Sequence, residues 1–276
     1  MSLSGSDFDW IRMLVRRSSA IVIEDGKEYL AESKIGPVAR AHGFDSIAHL
    51  VQKMRLEPDE KICRAIVEAM AIGETYFFRD PQAFQFLRTE MLPEVIERCS
   101  STKRLRIWCG ASSTGQEPYS VAMILAEHFD GNPALSGWDA KVVATDISFE
   151  ALSRAREGRY SQQEVNRGLP ARMLVRHFHR VGLEWRLNDD VRQRVEFEHL
   201  NLVEGWRKPV RFNLILMRNV LIYFDVETKR GILERVAQDL EPGGCILFGS
   251  AETVNLLDAR FEALSGAKSM WCRVRR

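Results

Sequence analysis

The sequence predicts an α/β protein: a doubly wound, mostly parallel sheet preceded by a small all-helical N-terminal domain. Three observations carry this. Arg104–Met123, RLRIWCGASSTGQEPYSVAM, reads as strand, small-residue loop and helix in direct succession. That is how an α/β sheet presents backbone N–H groups to a nucleotide-like ligand. After it, strand-like and helix-like segments alternate, the pattern of a parallel sheet with helices on both faces. Before it, residues 8 to 72 carry apolar spacing of the helical kind and no strand pattern.

The 276 residues are 45% hydrophobic and 28% charged, as in a globular protein with one sizeable domain or two smaller ones. A net charge of +1 argues against a general polyanion or nucleic-acid binder. The five cysteines (Cys63, Cys99, Cys109, Cys245, Cys272) form no CxxC pair and read as reduced thiols of a cytoplasmic protein. No apolar run approaches the roughly 20 residues of a membrane span, and the N-terminus lacks the basic-then-apolar pattern of a signal peptide. The six histidines form no metal-ligand set. His177 and His179, two apart in a predicted helix, diverge, so no metal is expected.

In chain order, helices are expected at Phe8–Val15, at Tyr29–Val38, after Asp45, and from Pro58-Asp59-Glu60 through Met70 to a stop at Gly73. This places the helical domain at 1–73. ETYFFRD (Glu74–Asp80) follows, with Phe77 and Phe78 expected to fill a seam between domains and Arg79 in need of a polar partner. Pro81 opens an amphipathic helix, so 74–100 is a linker and connecting helix and 101–276 the α/β domain. In the central stretch Thr114 is placed as helix cap, with Pro118 in the first turn. The loop is not a P-loop, because no Gly-Lys-Ser/Thr follows, and it is not a GxGxxG fingerprint.

The strand Lys141–Thr145 ends at Asp146, where a nucleoside-binding α/β domain grips ribose hydroxyls. The same carboxylate is also placed to cap the helix starting near Phe149. Leu169–Phe178 reads as a helix. Val181–Leu187 and Val191–Phe197 read as antiparallel strands around Asn188-Asp189-Asp190, a small β-subdomain at about 178–200. Arg154–Arg218 holds fourteen Arg and Lys against eight Asp and Glu, a candidate surface for an acidic partner. A buried strand, Arg211–Met217, runs into RNVLIYFD (Arg218–Asp225) and a helix. Glu241-Pro242-Gly243-Gly244 then leads to the strand Cys245–Gly249 and a closing hairpin, Phe261–Leu264 with Ser269–Val274.

ETYFFRD, ASSTGQEPYSVAM, ATDIS, Asn201-Leu202, RNVLIYFD and LEPGG…LFGSAE stand in this order over residues 73–252. Together they closely resemble the chemotaxis receptor glutamate methyltransferases, the CheR family. The resemblance implies the seven-stranded, Rossmann-like S-adenosylmethionine-dependent methyltransferase fold. It also implies the formation of glutamate methyl esters on the cytoplasmic helices of chemoreceptors, with S-adenosylhomocysteine as product. By resemblance, Asp146 holds the ribose diol and Asn201-Leu202 lies along the adenine. Glu117 and the loop at Ala111, Ser113 and Gly115 lie near the amino-acid end, with Arg218, Asn219, Thr75 and Arg79 closing the site. Arg79 and Tyr223 are the expected catalytic residues, as orienting groups, because a glutamate is already an anionic nucleophile at neutral pH. No Asn/Asp-Pro-Pro-Tyr motif follows the fourth strand, unlike many amino-group methyltransferases; Arg218-Asn219-Val220 stands there.

Two departures from the family pattern are expected to matter. Gly73 stands where many members have Asn, and Gln116 where Glu is common. The segment Phe178–Val191 is short beside members that grip a receptor tail peptide, so transfer independent of such a peptide is expected. In the helical domain Arg12, Arg16, Arg17, Arg40 and Arg64 are the basic residues expected to face acidic receptor helices. The alternatives are a same-fold enzyme of a non-motility pathway and a regulatory module that binds the cofactor without turnover.

Overall fold

The structure is a computed structural model describing residues 3–206, 210–252, 254, 257–264 and 271–275. Four helices open the chain: α1 (Gly5–Ser19), α2 (Glu28–Ala41), α3 (Ile47–Leu56) and α4 (Glu60–Met70). Ser4, Ser46 and Asp59 cap α1, α3 and α4 through their side chains. Ile11, Val15, Ile35, Leu50 and Ile66 bury their faces together as a separate core.

The connecting helix is α5 (Pro81–Phe86), a π-turn at Leu87–Met91, and α6 (Leu92–Arg98). The π-turn has a local cause: Pro93 has no N–H to give the helix ladder, and the Leu92 N–H reaches back to Leu87 O instead.

Beyond it, among the described residues, lie ten strands: β1 (Arg104–Gly110), β2 (Asp139–Asp146), β3 (Arg159–Tyr160), β4 (Phe178–Val181), β5 (Glu184–Leu187), β6 (Val195–His199), β7 (Phe212–Met217), β8 (Leu240–Phe248), β9 (Phe261–Ala263) and β10 (Trp271–Val274). The main sheet has seven of them in the order β6-β2-β1-β7-β8-β10-β9. Its first five are parallel, and β10 and β9 run antiparallel at one edge. This is the doubly wound, mostly parallel sheet expected from the sequence. Strand side chains alternate between two cores. Ile107, Val142, Leu214 and Leu247 pack with α7 (Gln116–Phe129), and Trp108, Val143, Ile215 and Ile246 pack with the helix Val226–Asp239. The order reverses where β1 lies between β2 and β7, and a crevice opens there at the carboxyl ends of the strands.

Several local expectations are corrected. The hairpin of the small subdomain turns at Gly182-Leu183, and its three-stranded sheet is β3-β5-β4. Val195–His199 does not belong to it: as β6 it pairs in parallel with Val142–Asp146 on the main sheet, and Asp189–Arg192 between them is a short helix. The subdomain therefore does not extend to residue 200. His179 lies on β4, not in the helix that ends at His177. The cap of α7 is Gly115, at φ +94°, while the Thr114 hydroxyl donates to Gln116 Oε1 at 2.8 Å. Ser148, not Asp146, caps α8 (Phe149–Glu157). Six arginines of the basic stretch form ion pairs: Arg154 with Glu164, Arg159 with Glu184, Arg167 with Glu74, Arg172 with Glu127, and Arg186 and Arg192 with Asp189, of which only Glu74 and Glu127 lie outside it. In the closing hairpin, Ser269 and Met270 lie outside the described residues. Among the described residues no helix is long and apolar enough to cross a membrane.

Phe77 and Phe78, expected to fill a seam between domains, lie instead in the core of the α/β domain. Phe77 is fully buried edge-on against Tyr160 and Phe178 of the small sheet, and Phe78 packs edge-on against Phe84.

Candidate active site

A cavity of about 410 Å³ occupies the crevice. Thr75, Arg79, Ala111, Ser113, Glu117, Asp146, Asn201, Leu202, Arg218, Asn219 and Tyr223 all line it. They arrive from five separate stretches because each lies near a strand end or in the segment that crosses those ends. Ala111 and Ser113 follow β1, Asp146 ends β2, Asn201 and Leu202 follow β6, and Arg218 through Tyr223 follow β7.

The backbone here is unusually bent. Seven residues other than glycine have positive φ among those described: Ala20, Phe78, Asp80, Lys103, Ala111, Ser113 and Asn219. All but Lys103 line the cavity or flank a residue that does. Such left-handed residues carry strain of about 1–3 kcal/mol each and persist where surrounding contacts fix them. The contacts are visible. Ser113 N–H donates to Asp146 Oδ2 at 2.7 Å, Ser112 N–H to Thr145 O at 2.9 Å, and the Ser113 hydroxyl to Gly73 O at 2.7 Å.

Asp146 is 9% exposed and accepts the Ser148 N–H on its other oxygen, Oδ1, at 2.9 Å. Burial raises its pKa above the ordinary 3.8; the N–H groups of Ser148 and Ser113 oppose the shift and Glu68 adds to it. The N–H groups of Ser113, Ser148 and Ile147 bear on the carboxylate, whose two oxygens have about four lone-pair sites and so room for a further donor.

Glu117 and Arg218 form a buried pair, Nη1 to Oε2 at 2.8 Å. Arg218 also lies 3.8 Å from Asp80 Oδ2 and over the Phe84 ring. Burial raises the Glu117 pKa above its ordinary 4.5, against the pull of Arg218. Arg79 finds its partner in the backbone: Nη1 donates to Glu74 O at 3.0 Å, and the guanidinium lies over Tyr76. Tyr223 is half-buried, and burial raises its phenol pKa while Arg79 lowers it. At neutral pH it is a neutral hydroxyl able to donate.

Three features escape local sequence reading. Asp80 supports Arg218, and its signal was its place at the end of ETYFFRD. The helical domain roofs the cavity with Ser19, Ile21, Lys34 and Glu68. Glu68 accepts from the Ser148 hydroxyl and the Phe149 N–H at 3.1 and 3.0 Å, bridging α4 to the start of α8. Asn201 Nδ2 is already committed, donating to Ser18 O at 2.7 Å and Glu204 Oε1 at 3.0 Å. Its side chain ties the two domains together. Arg64, an exposed residue, lies over the exposed Phe149 ring, which stacks on His199.

Comparison with known proteins agrees with this architecture. Residues 73–270 match the family described as CheR methyltransferase, SAM binding domain, and residues 6–70 match its all-alpha domain. The chain is 34% identical over 263 residues to chemotaxis protein methyltransferase Cher2 of Pseudomonas putida, covering 95% of both chains. It is 35% identical to chemotaxis protein methyltransferase 1 of Pseudomonas aeruginosa over the same shares. With the chemotaxis protein methyltransferase of Vibrio parahaemolyticus it shares 32%, covering 95% of this chain and 94% of the relative. The chain belongs to the CheR methyltransferase family.

Proposed function

We propose that this protein methylates glutamate side chains on the cytoplasmic helices of chemoreceptors, using S-adenosylmethionine. The observation that carries the reading is the convergence of Asp146, the Glu117–Arg218 pair, Arg79 and Tyr223 on one cavity, inside the stretch that matches a S-adenosylmethionine-binding domain. The donor set suits that cofactor. Asp146 offers acceptor capacity for a diol, Leu200 and Leu202 an apolar wall for an adenine, and Glu117 a carboxylate for an ammonium group. When bound, S-adenosylmethionine supplies an electrophilic methyl group on sulfur. The protein's own part is alignment and exclusion of water. Arg79 attracts the acceptor carboxylate to the cavity mouth, and the neutral Tyr223 hydroxyl orients it by donation. No base is required.

The proposed setting is the cytoplasm, with the helical domain against the receptor. The two-residue turn between β4 and β5 supports transfer that needs no receptor tail peptide, and fragments lacking the tail are expected to be methylated equally well. A module without turnover draws only on Gly73. The Gly73 carbonyl anchors Ser113, and a Cβ there would stand 3.1 Å from Ser113 Oγ.

The deciding experiment is transfer of labelled methyl to receptor cytoplasmic fragments, followed by mild alkali. Label released as methanol identifies carboxyl methyl esters; label that survives alkali rejects them. Tyr223→Phe is expected to lower kcat about 100-fold, in the range found for a lost transition-state donor, with S-adenosylhomocysteine affinity unchanged. An equal loss in both would remove Tyr223 from the acceptor side.

The raised pKa of Asp146 gives cofactor binding a pH dependence. Ribose hydroxyls donate to the ionised carboxylate, so binding favours the charged form and affinity rises with pH until the free group is ionised. Below its raised pKa, S-adenosylhomocysteine affinity should weaken by up to about tenfold per pH unit. The contribution to stability has the opposite sign. The folded pKa lies above the unfolded one, so stability from this group falls as pH rises from the ordinary 3.8 through the raised value. Calorimetry on wild type and Asp146→Asn checks this: the variant should bind weakly and lose this pH dependence.

A further inference from the structure

Glu252, the last residue of LFGSAE, has no role in the chemistry above, yet it is 4% exposed and does not line the cavity. Its carboxylate gathers four backbone N–H groups. Oε2 accepts from Gly249 at 2.6 Å and Asn219 at 3.0 Å; Oε1 accepts from Val220 at 3.0 Å and Leu221 at 2.8 Å. Three of these donors belong to the turn after β7 and one to the turn after β8. A Cβ on Gly249 would stand 2.8 Å from Glu252 Oε2 and 2.9 Å from Asn219 N, so the two turns meet closely enough to require glycine there.

The turn so held begins at Arg218 and ends at Tyr223. Its two ends are secured differently. Arg218 is fixed independently by Glu117, Asp80 and Phe84. Residues 219–221 have Glu252 as their side-chain anchor, and Asn219 sits in the left-handed region at φ +57°, a conformation that must be enforced. Tyr223 follows directly, its N–H donating to Val220 O.

We propose that Glu252 is a positioning residue for methyl transfer, fixing the Asn219–Leu221 turn so that the Tyr223 hydroxyl meets the acceptor carboxylate. The inference rests on the methyl-transfer reading. It assigns Glu252 to the acceptor half of the site, while Arg218 keeps the cofactor half in place without it.

The test compares Glu252→Gln and Glu252→Asp in the full chain. Glutamine keeps one acceptor oxygen and sets an NH2 group against backbone donors. Aspartate keeps both oxygens on a shorter arm. Glu252→Gln should lower kcat about 100-fold, as misplacement by about 1 Å does, with S-adenosylhomocysteine affinity within about threefold of wild type. Glu252→Asp should recover most of that loss. Hydrogen exchange of the Val220 and Leu221 amides should accelerate in Glu252→Gln, while the β7 and β8 amides stay protected. Turnover per S-adenosylhomocysteine-binding molecule within about threefold of wild type would overturn the proposal, as would equal losses in affinity and kcat. Unchanged exchange at Val220 and Leu221 would do so as well. If wild type itself transfers no methyl, the activity reading fails, and the exchange result still decides whether Glu252 holds the turn.

Discussion

Arg218→Met should abolish measurable S-adenosylhomocysteine binding and lower the thermal midpoint by roughly 10 °C. The Arg218 side chain is 2% exposed and that of Glu117 11%, so the pair is shielded from water. Removing one partner of a buried pair costs about 3–5 kcal/mol, because it leaves the other charge uncompensated. For a chain of this size each kcal/mol is worth about 2–4 °C. Burial already raises the Glu117 pKa with Arg218 opposing it. Without the guanidinium it rises further, so the variant loses stability as pH rises, and its deficit should be smaller in mild acid than at pH 8.

A second substitution separates stability from function. A buried ion pair replaced as a whole by apolar residues of similar volume is often neutral or stabilising. Arg218→Met with Glu117→Leu should therefore recover most of the lost thermal midpoint and none of the cofactor binding. Melting curves and calorimetry on the two variants decide the matter. A single variant that melts like wild type and binds within tenfold would show that neither the pair's burial nor its role in the site is as described.

How legible the molecule was depends on where each contact closes. The parallel strands were readable because β1, β2 and β7 are buried on both faces and stand out as apolar runs. Val195–His199 was misassigned because it is the edge strand. Its outer residues are exposed, its sequence alternates like a hairpin strand, and its true partner, β2, lies some fifty residues earlier. Thr114 and Asp146 are good capping residues by type, but Gly115 and Ser148 take those positions. A cap is decided by the backbone's path into the helix, and Gly115 alone could adopt φ +94° there beside Ala155. The site residues were found through motif resemblance, and they share one cavity because they sit at strand ends. The roof over that cavity left no local trace. Asn201 and Ser18 meet across 183 residues, and nothing near either one signals the other.

Gly168 tests how firmly the ETYFFRD segment is held from outside the cavity. It has φ +85°, and a Cβ there would lie 2.0 Å from Phe77 O and 3.1 Å from Tyr76 Cδ2. The first contact is with backbone, which cannot turn aside as a side chain can. Gly168→Ala must therefore displace the chain at Phe77 or at residue 168 itself. Gly182 supplies the control: its φ is +63°, and its Cβ would meet nothing within 4 Å. Gly182→Ala isolates the left-handed penalty, about 1 kcal/mol. Gly168→Ala adds the collision, for a total of roughly 4 kcal/mol, at the upper end of single substitutions. Because Arg79 follows Phe77 by two residues, methyl transfer should fall further than the folded fraction does, while Gly182→Ala leaves it intact. Equal small losses in both variants would mean that the linker yields freely at Phe77, and that Arg79 is placed by Glu74 and Tyr76 alone.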